Sequence, residues 1–184
     1  MKRRTLIEAQ ALAEAILCES VSSGKIRRLF AQFEEAPTTE GIEAAEENWR
    51  GGLADFGDRE SAYLIQNMPG YFEYRGHLQD AARNILGNSF PVYRLMSRDQ
   101  FEEWQSGADI GPIAVSFDPH WSEAFRKFAG FKPEQAEAAM LVEITANPES
   151  IVMRGKTEEA EVVLDANMIN ASDVRLIGDP SGTL

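Results

Sequence analysis

The chain has 184 residues, of which 43% are hydrophobic and 26% charged, and its formal net charge at pH 7 is -12. This hydrophobic content is sufficient for a sizeable buried core and argues against an intrinsically disordered chain. The length is that of one domain, or of one domain with an extension. Because an acidic surface repels phosphate groups, the charge disfavours non-specific binding to nucleic acid or to a membrane surface.

Cysteine, histidine and the N-terminal residues restrict the class further. A single cysteine, Cys18, excludes an intramolecular disulfide and a cysteine metal cluster, and two histidines are too few for a zinc site. The basic start Met1–Arg4 resembles the first part of a secretory signal, but Glu8, Gln10 and Glu14 interrupt the apolar segment that would have to follow. No apolar run is long enough to span a membrane. We therefore expect a cytoplasmic protein that uses no metal.

The first half of the chain has the hydrophobic spacing of helices. That spacing predicts helices over about Thr5–Cys18, Ile26–Phe33, Thr39–Trp49, Asp58–Asn67 and Phe72–Leu86. The pair Gly51-Gly52 breaks the pattern and is the expected boundary. The expected organisation is an N-terminal helical extension over residues 1–50 and a second domain over residues 51–184, either separate or packed as one compact unit.

The second half has the short branched and aromatic runs that are typical of β-strands. Strands are predicted over Phe90–Met96, Ile113–Phe117, Met140–Ile144, Ser150–Met153, Glu161–Leu164 and Val174–Ile177. Ser97 is expected to cap a short helix, with Gln100 in the capping-box position. Asp118 and Pro119 are expected to start another helix, which extends to Ala129. Because the first half is mainly helical and the second half is rich in strands, the sequence indicates an α+β fold rather than repeated βαβ units.

An acidic run precedes the fifth predicted strand. Because side chains alternate along a strand, Glu159 and Glu161 are expected on one face, with Cα atoms about 7 Å apart, and Glu158 on the other. Two carboxylates this close repel each other, which raises at least one pKa unless a cation lies between them. The run is therefore either a solvated strand entrance or part of a site for a cationic ligand.

Three predicted strands each carry a polar residue in apolar surroundings, namely Arg94, Ser116 and Glu161. An arginine cannot shed its charge, so a buried arginine needs anionic partners. One interpretation is an internal ion pair of Arg94 with Glu161, bridged by Ser116. The other is a cleft for one ligand, whose anionic part binds Arg94 and whose cationic part binds the carboxylates.

The order of these residues resembles the R-S-E class of mono-ADP-ribosyltransferases, which includes vertebrate ecto-enzymes, clostridial actin-modifying toxins and bacteriophage enzymes. Tyr93-Arg94 matches the first motif of that class, and Ser116-Phe117-Asp118 loosely matches the second. Glu159-Ala160-Glu161, followed by Val162-Val163-Leu164, matches the third. The likeness covers roughly residues 63–177, and it implies a catalytic domain over residues 51–184 with the two-sheet β-core of that family.

The resemblance implies that NAD is a co-substrate and that ADP-ribose passes from it to a protein side chain, with release of nicotinamide. Arg94 would bind the pyrophosphate or a nearby ribose, and Ser116 would orient Glu161 and the nicotinamide ribose. Glu161 would stabilise the positive charge on the ribose as nicotinamide leaves. A glutamate at position 159 goes with arginine as the acceptor, because a second carboxylate can hold a guanidinium and assist its deprotonation.

The resemblance also assigns residues to the nicotinamide. An aromatic ring after the serine is expected to stack on it; Phe128 fits best by spacing and Phe125 second, although both also suit the core of the helix that starts at Pro119. The backbone of Leu95 is expected to bind the nicotinamide amide. Leu95 stands where the family commonly has glycine, and Asp118 stands where it has a hydroxyl residue.

The resemblance leaves three functions open. The first is an arginine-directed transferase that modifies an acceptor protein inside the producing or infected cell, as a bacteriophage or bacterial effector. The second is an NAD glycohydrolase, in which water replaces the acceptor. The third is a non-catalytic binding or structural protein on the same fold. The acidic charge disfavours a nucleic acid as the acceptor.

Overall fold

The computed structural model describes residues 21–51, 59–119 and 139–178. The helices bounded within these ranges are α1 (Ser23–Glu34), α2 (Glu40–Gly51), α3 (Arg59–Leu64), α4 (Tyr71–Leu86) and α5 (Arg98–Gln105). The strands are β1 (Phe90–Ser97), β2 (Pro112–Ser116), β3 (Ala139–Ala146), β4 (Ile151–Arg154), β5 (Glu161–Asp165) and β6 (Val174–Gly178). None of the described helices combines the length and the apolar character that crossing a membrane requires.

The α+β class is confirmed, and each predicted strand is present with its ends within two residues of the expected ones. The helices predicted between residues 26 and 86 are also present. Ser97 caps α5 as expected, because its Oγ accepts a hydrogen bond from the backbone nitrogen of Gln100 at 3.2 Å. The helix predicted over Thr5–Cys18 and most of the one predicted over Pro119–Ala129 lie outside the described residues.

The described strands form one antiparallel sheet in the order β4-β5-β2-β1-β3-β6. β1 pairs with β3 along all eight of its residues. In contrast, β1 meets β2 through one residue pair, Tyr93 opposite Ser116. The resemblance implied two sheets, whereas the described strands form one, because this single pair joins its two halves.

One hydrophobic cluster connects the helices with the sheet. Phe33 of α1 and Leu78 of α4 are fully buried in it. The ring of Phe117, which follows β2, packs edge-on against Phe30 of α1 at a centroid distance of 6.2 Å, and lies 5.7 Å from the ring of Phe90. The helices before residue 51 therefore share their core with the strands that follow.

Helix α4 covers the open side of the edge strand β4. Arg75 Nε donates a hydrogen bond to the carbonyl of Ile151 at 2.9 Å. The phenol oxygen of Tyr74 accepts a hydrogen bond from the backbone nitrogen of Arg154 at 3.0 Å. These contacts satisfy backbone groups that an uncovered edge strand would offer to another chain.

A buried ion pair fastens α2 to the end of β4. Arg154 donates from Nε and Nη2 to the two carboxylate oxygens of Glu46, at 2.7 and 2.6 Å. Both residues are buried, with 8% and 1% of their surface exposed. Arg154 Nη1 also donates to the carbonyl of Phe33 at 2.9 Å, and the phenol of Tyr74 donates to Glu46. The pair therefore links α1, α2, α4 and β4 at one point.

Glu46→Gln is expected to lower the free energy of unfolding by about 3 kcal/mol or more, because it leaves the guanidinium of Arg154 buried without its counter-charge. Urea denaturation followed by circular dichroism measures the loss. Glu34 provides a matched control, since its carboxylate also lies near Arg154, at 3.4 Å, but its side chain is 60% exposed. Glu34→Gln should cost less than about 1 kcal/mol. Equal losses for the two variants would contradict the assignment of Glu46 as the main counter-charge.

Candidate functional site

The register of the sheet brings the motif strands side by side. Ser116, the last residue of β2, lies opposite Tyr93 of β1 on one side and opposite Glu161, the first residue of β5, on the other. Directly opposed residues project to the same face, so these three form one row across strands that are about 4.8 Å apart. Beyond Tyr93 the row continues to Glu143 of β3, whose Oε1 accepts a hydrogen bond from Arg175 Nη2 at 2.7 Å.

Arg94 follows Tyr93 at the point where β1 and β2 separate. Its guanidinium crosses the gap, since Nη1 donates a hydrogen bond to the carbonyl of Ala114 in β2 at 2.6 Å. Because successive side chains of a strand project to opposite faces, Arg94 projects to the face opposite that of Tyr93 and Ser116. The internal ion pair of Arg94 with Glu161, which the sequence allowed, is not formed between these two described residues, because the Glu161 carboxylate takes its hydrogen bonds from other groups.

The carboxylate of Glu161 is held at the start of β5, where the residue is only 6% exposed. Its Oε1 accepts two hydrogen bonds, from Trp49 Nε1 at 2.9 Å and from the backbone nitrogen of Lys156 at 3.3 Å. Oε2 takes part in neither bond. Burial raises the pKa of Glu161, and the charge of Glu159 adds to the rise, whereas the Trp49 and Lys156 hydrogen bonds oppose it.

A glycine makes room for this carboxylate. Gly155 directly follows β4 and donates its backbone N–H to the carbonyl of Glu161 at 3.2 Å. A Cβ atom at position 155 would lie 2.5 Å from Glu161 Oε1 and 2.6 Å from its Cγ, closer than side chains pack. The Glu161 side chain therefore occupies the space that any other residue at position 155 would fill.

The acidic run is a turn and not a strand entrance. Thr157–Glu159 form a 3₁₀ turn, Ala160 has a left-handed φ of 48°, and β5 begins at Glu161. The expectation that Glu159 and Glu161 lie on one face of the same strand is therefore wrong, because Glu159 belongs to the turn. A left-handed alanine costs about 1–2 kcal/mol. Its carbonyl accepts a hydrogen bond from the backbone nitrogen of Phe117 at 3.0 Å, which helps to hold this conformation.

The hydroxyl of Ser116 also holds this turn. Its Oγ donates to the carbonyl of Glu159 at 2.7 Å and accepts from the backbone nitrogen of Asp118 at 3.0 Å. Both partners are backbone groups, whereas the resemblance implied that Ser116 orients Glu161 and the nicotinamide ribose. In this structure Ser116 therefore positions the turn that carries Glu159.

The side chain of Glu159 lies beside a cation. Its Oε1 is 3.3 Å from Lys156 Nζ, and both side chains are mostly buried. Lys156 thus contacts Glu159 through its ammonium and Glu161 through its backbone nitrogen. Glu158 is exposed on the turn, away from these contacts.

Other predicted site residues are less informative. Leu95 is half-buried in β1, and Asp118 follows β2 with its backbone bonded to Ser116. Phe125 and Phe128, predicted to stack on nicotinamide, lie outside the described residues. Among the residues described, no three His, Cys, Asp or Glu side chains are grouped so that they could hold a metal ion.

Sequence reasoning missed Trp49, Glu46, Arg154 and Gly155. Glu46 and Trp49 are three residues apart on α2, so they lie on the same face of that helix. The same face buries Ile42 and Ala45. Glu46 therefore has the spacing of the buried apolar residues. A glutamate at such a position is the signal that could have identified a buried carboxylate in need of a cationic partner, here Arg154.

Comparison with protein-family models, with curated proteins and with solved structures found no match.

Glu161→Gln is expected to unfold at a higher urea concentration than the wild type at pH 7. Glutamine keeps an oxygen that can accept from Trp49 and has no charge to bury. A raised pKa means that the folded state holds its proton more tightly than the unfolded state, so the wild type loses stability as the pH rises above the ordinary value of 4.5. The difference in the urea concentration of unfolding between the two proteins should grow from pH 4.5 to pH 7 and disappear below pH 4.5.

Glu158→Gln is the control for this comparison, because Glu158 is exposed on the same turn. Its stability should follow that of the wild type across the whole pH range. A gap between Glu161→Gln and the wild type that is independent of pH would show that the charge of Glu161 carries no folding cost.

Gly155→Ala is expected to displace the Glu161 side chain and to lower the free energy of unfolding by about 1–3 kcal/mol. The loss should shrink in a Glu161→Ala background, where the clashing atoms are absent, and a double-mutant cycle measures this coupling. Gly76→Ala in α4 is the control, because nothing lies within 4 Å of the added Cβ. It should stabilise the protein by up to about 1 kcal/mol. Strictly additive losses for positions 155 and 161 would argue against the contact.

Proposed function

We propose that this chain is an NAD-dependent mono-ADP-ribosyltransferase, which moves ADP-ribose from NAD to a protein side chain, with arginine as the expected acceptor. The observation that carries the proposal is the position of Ser116, which lies between Tyr93 and Glu161 on three neighbouring strands. Motifs that are far apart in the sequence thus meet at one level of the sheet. At the coarser level, the α+β fold with its antiparallel sheet supports a β-core of the ADP-ribosyltransferase type.

The state of Glu161 supports a catalytic role. Burial of a carboxylate whose pKa is raised costs stability, and a glutamine could make the same two hydrogen bonds without that cost. Buried groups with perturbed pKa values concentrate at functional sites. In this proposal Oε2, which takes neither hydrogen bond, is the oxygen that meets a cationic group of the substrate.

In the proposed reaction NAD supplies the ADP-ribosyl group, and the bond between ribose and nicotinamide breaks with its electron pair leaving on nicotinamide. Glu161 stabilises the positive charge that develops on the ribose. Arg94 lies at the gap between β1 and β2, and its planar guanidinium suits a pyrophosphate. Glu159 holds the acceptor guanidinium and takes the proton that the attacking nitrogen loses.

An NAD glycohydrolase is the second candidate, and the contact between Lys156 and Glu159 favours it. The carboxylate that would hold an acceptor guanidinium already lies 3.3 Å from a lysine ammonium. An arginine acceptor has to displace Lys156 from Glu159, whereas a water molecule does not. For either activity we propose a role inside the producing or infected cell, as a bacterial or bacteriophage effector.

The test is incubation of the purified protein with radiolabelled NAD and a bacterial lysate, followed by measurement of released nicotinamide and of labelled protein. Glu161→Gln should lower both by about 10²–10³-fold, the usual effect of losing one preorganised charge-stabilising group. Because this variant is expected to be at least as stable as the wild type, unfolding cannot explain the loss. Glu158→Gln, on the exposed side of the same turn, should retain wild-type activity.

The products separate the alternatives. Labelled arginine side chains, identified by mass spectrometry, would support the transferase. Free ADP-ribose without labelled protein would support the glycohydrolase. If neither the wild type nor Glu161→Gln releases more nicotinamide than buffer alone, both activities are overturned and a non-catalytic protein is left.

A further inference from the structure

We propose that Trp49 is a positioning residue for Glu161, so that helix α2 forms part of the active site. Its indole N–H anchors Oε1 of the carboxylate and so directs Oε2 towards the substrate. This inference rests on the proposed function, in which Glu161 stabilises positive charge on a ribose. It assigns a role in catalysis to α2 (Glu40–Gly51), which precedes the part of the chain that carries the three motifs.

The geometry of the Trp49 contact is that of a fixed donor. The distance from Nε1 to Oε1 is 2.9 Å, and both residues are buried. An indole nitrogen donates hydrogen bonds and never accepts them, so in this contact Glu161 is always the acceptor. The ring itself belongs to the hydrophobic cluster, which restricts the position of its nitrogen. The second donor to the same oxygen, the backbone nitrogen of Lys156, is longer at 3.3 Å.

The helix that carries Trp49 is also held by the buried ion pair. Glu46 lies three residues earlier on the same face of α2 and binds Arg154 through both carboxylate oxygens. Arg154 is the last residue of β4, directly before Gly155, whose missing side chain leaves room for Glu161. One helix face therefore holds the end of β4 through Glu46 and the start of β5 through Trp49.

The charged groups on the elements beside Glu161 are held by contacts that do not involve the indole of Trp49. Lys156 and Glu159 lie on the turn before β5, which Ser116 holds through the carbonyl of Glu159. Asp118 follows β2, and its backbone nitrogen is bonded to the same serine. In addition, Glu46 and Arg154 are paired with each other. A change in the titration of Glu161 after removal of the indole N–H is therefore assignable to the lost hydrogen bond.

Trp49→Phe removes the N–H and keeps an aromatic ring. The pKa of Glu161, followed by the ¹³C signal of its carboxyl carbon and assigned with Glu161→Gln, should be higher in this variant than in the wild type. The kcat for NAD turnover should fall by roughly 10- to 100-fold, the effect of a hydrogen bond to a charged group. The KM for NAD should change much less, and the pH–rate profile should shift to higher pH.

Trp104→Phe is the matched control, since Trp104 is also buried but lies on α5. It should leave the Glu161 pKa, kcat and pH–rate profile unchanged. If Trp49→Phe retains the wild-type pKa and kcat while Glu161→Gln is inactive, the inference is overturned and the proposed function stands. If the wild type and Glu161→Gln turn over NAD equally, both are overturned.

A second measurement keeps the inference testable if Trp49→Phe does not fold. The indole ¹H–¹⁵N signal of Trp49 in the wild type should shift with pH as Glu161 titrates, and this shift should be absent in Glu161→Gln. An indole signal that does not respond to the titration of Glu161 overturns the inference.

Discussion

The buried pair of Glu46 and Arg154 is the interaction on which the arrangement of the N-terminal helices depends. Removing two charges from water is costly, and a pair of apolar residues could fill the same space at no loss of stability. What an apolar pair could not supply is direction. The guanidinium binds both carboxylate oxygens of Glu46 and the carbonyl of Phe33, so it fixes α2 and α1 relative to the end of β4.

The surroundings of Glu161 follow from that arrangement. A donor comes from α2, open space comes from the absent side chain of Gly155, and the neighbouring strand contributes Ser116, which secures the turn before β5. Each of these constraints originates in a different element, and together they hold Oε1 of the carboxylate and the turn beside it. A group that is held in this way does not need to reorganise when charge develops nearby, which is the condition for effective electrostatic stabilisation.

The strands could be predicted from the sequence because branched and aromatic runs between turn residues are local signals. The order of Arg94, Ser116 and Glu161 also identified strands that are neighbours in the sheet. The Trp49 contact could not be predicted, since 112 residues separate it from Glu161. Nor could the turn before β5, because alanine avoids a left-handed φ, and Ala160 adopts it where tertiary hydrogen bonds from β2 and the residue after it secure the turn.

The single residue pair between β1 and β2 has a mechanical consequence. Backbone hydrogen bonds along a full ladder resist bending, but a junction of one pair, Tyr93 with Ser116, offers little resistance. The two three-stranded groups, β4-β5-β2 and β1-β3-β6, can therefore change their relative angle about this short junction. Their relative angle sets the width of the gap that Arg94 crosses. Beside the junction, Phe30 of α1 packs on Phe117, which follows β2, and Phe117 packs on Phe90 of β1. The core beneath α1 therefore connects the two halves of the sheet and resists a change in the opening between them.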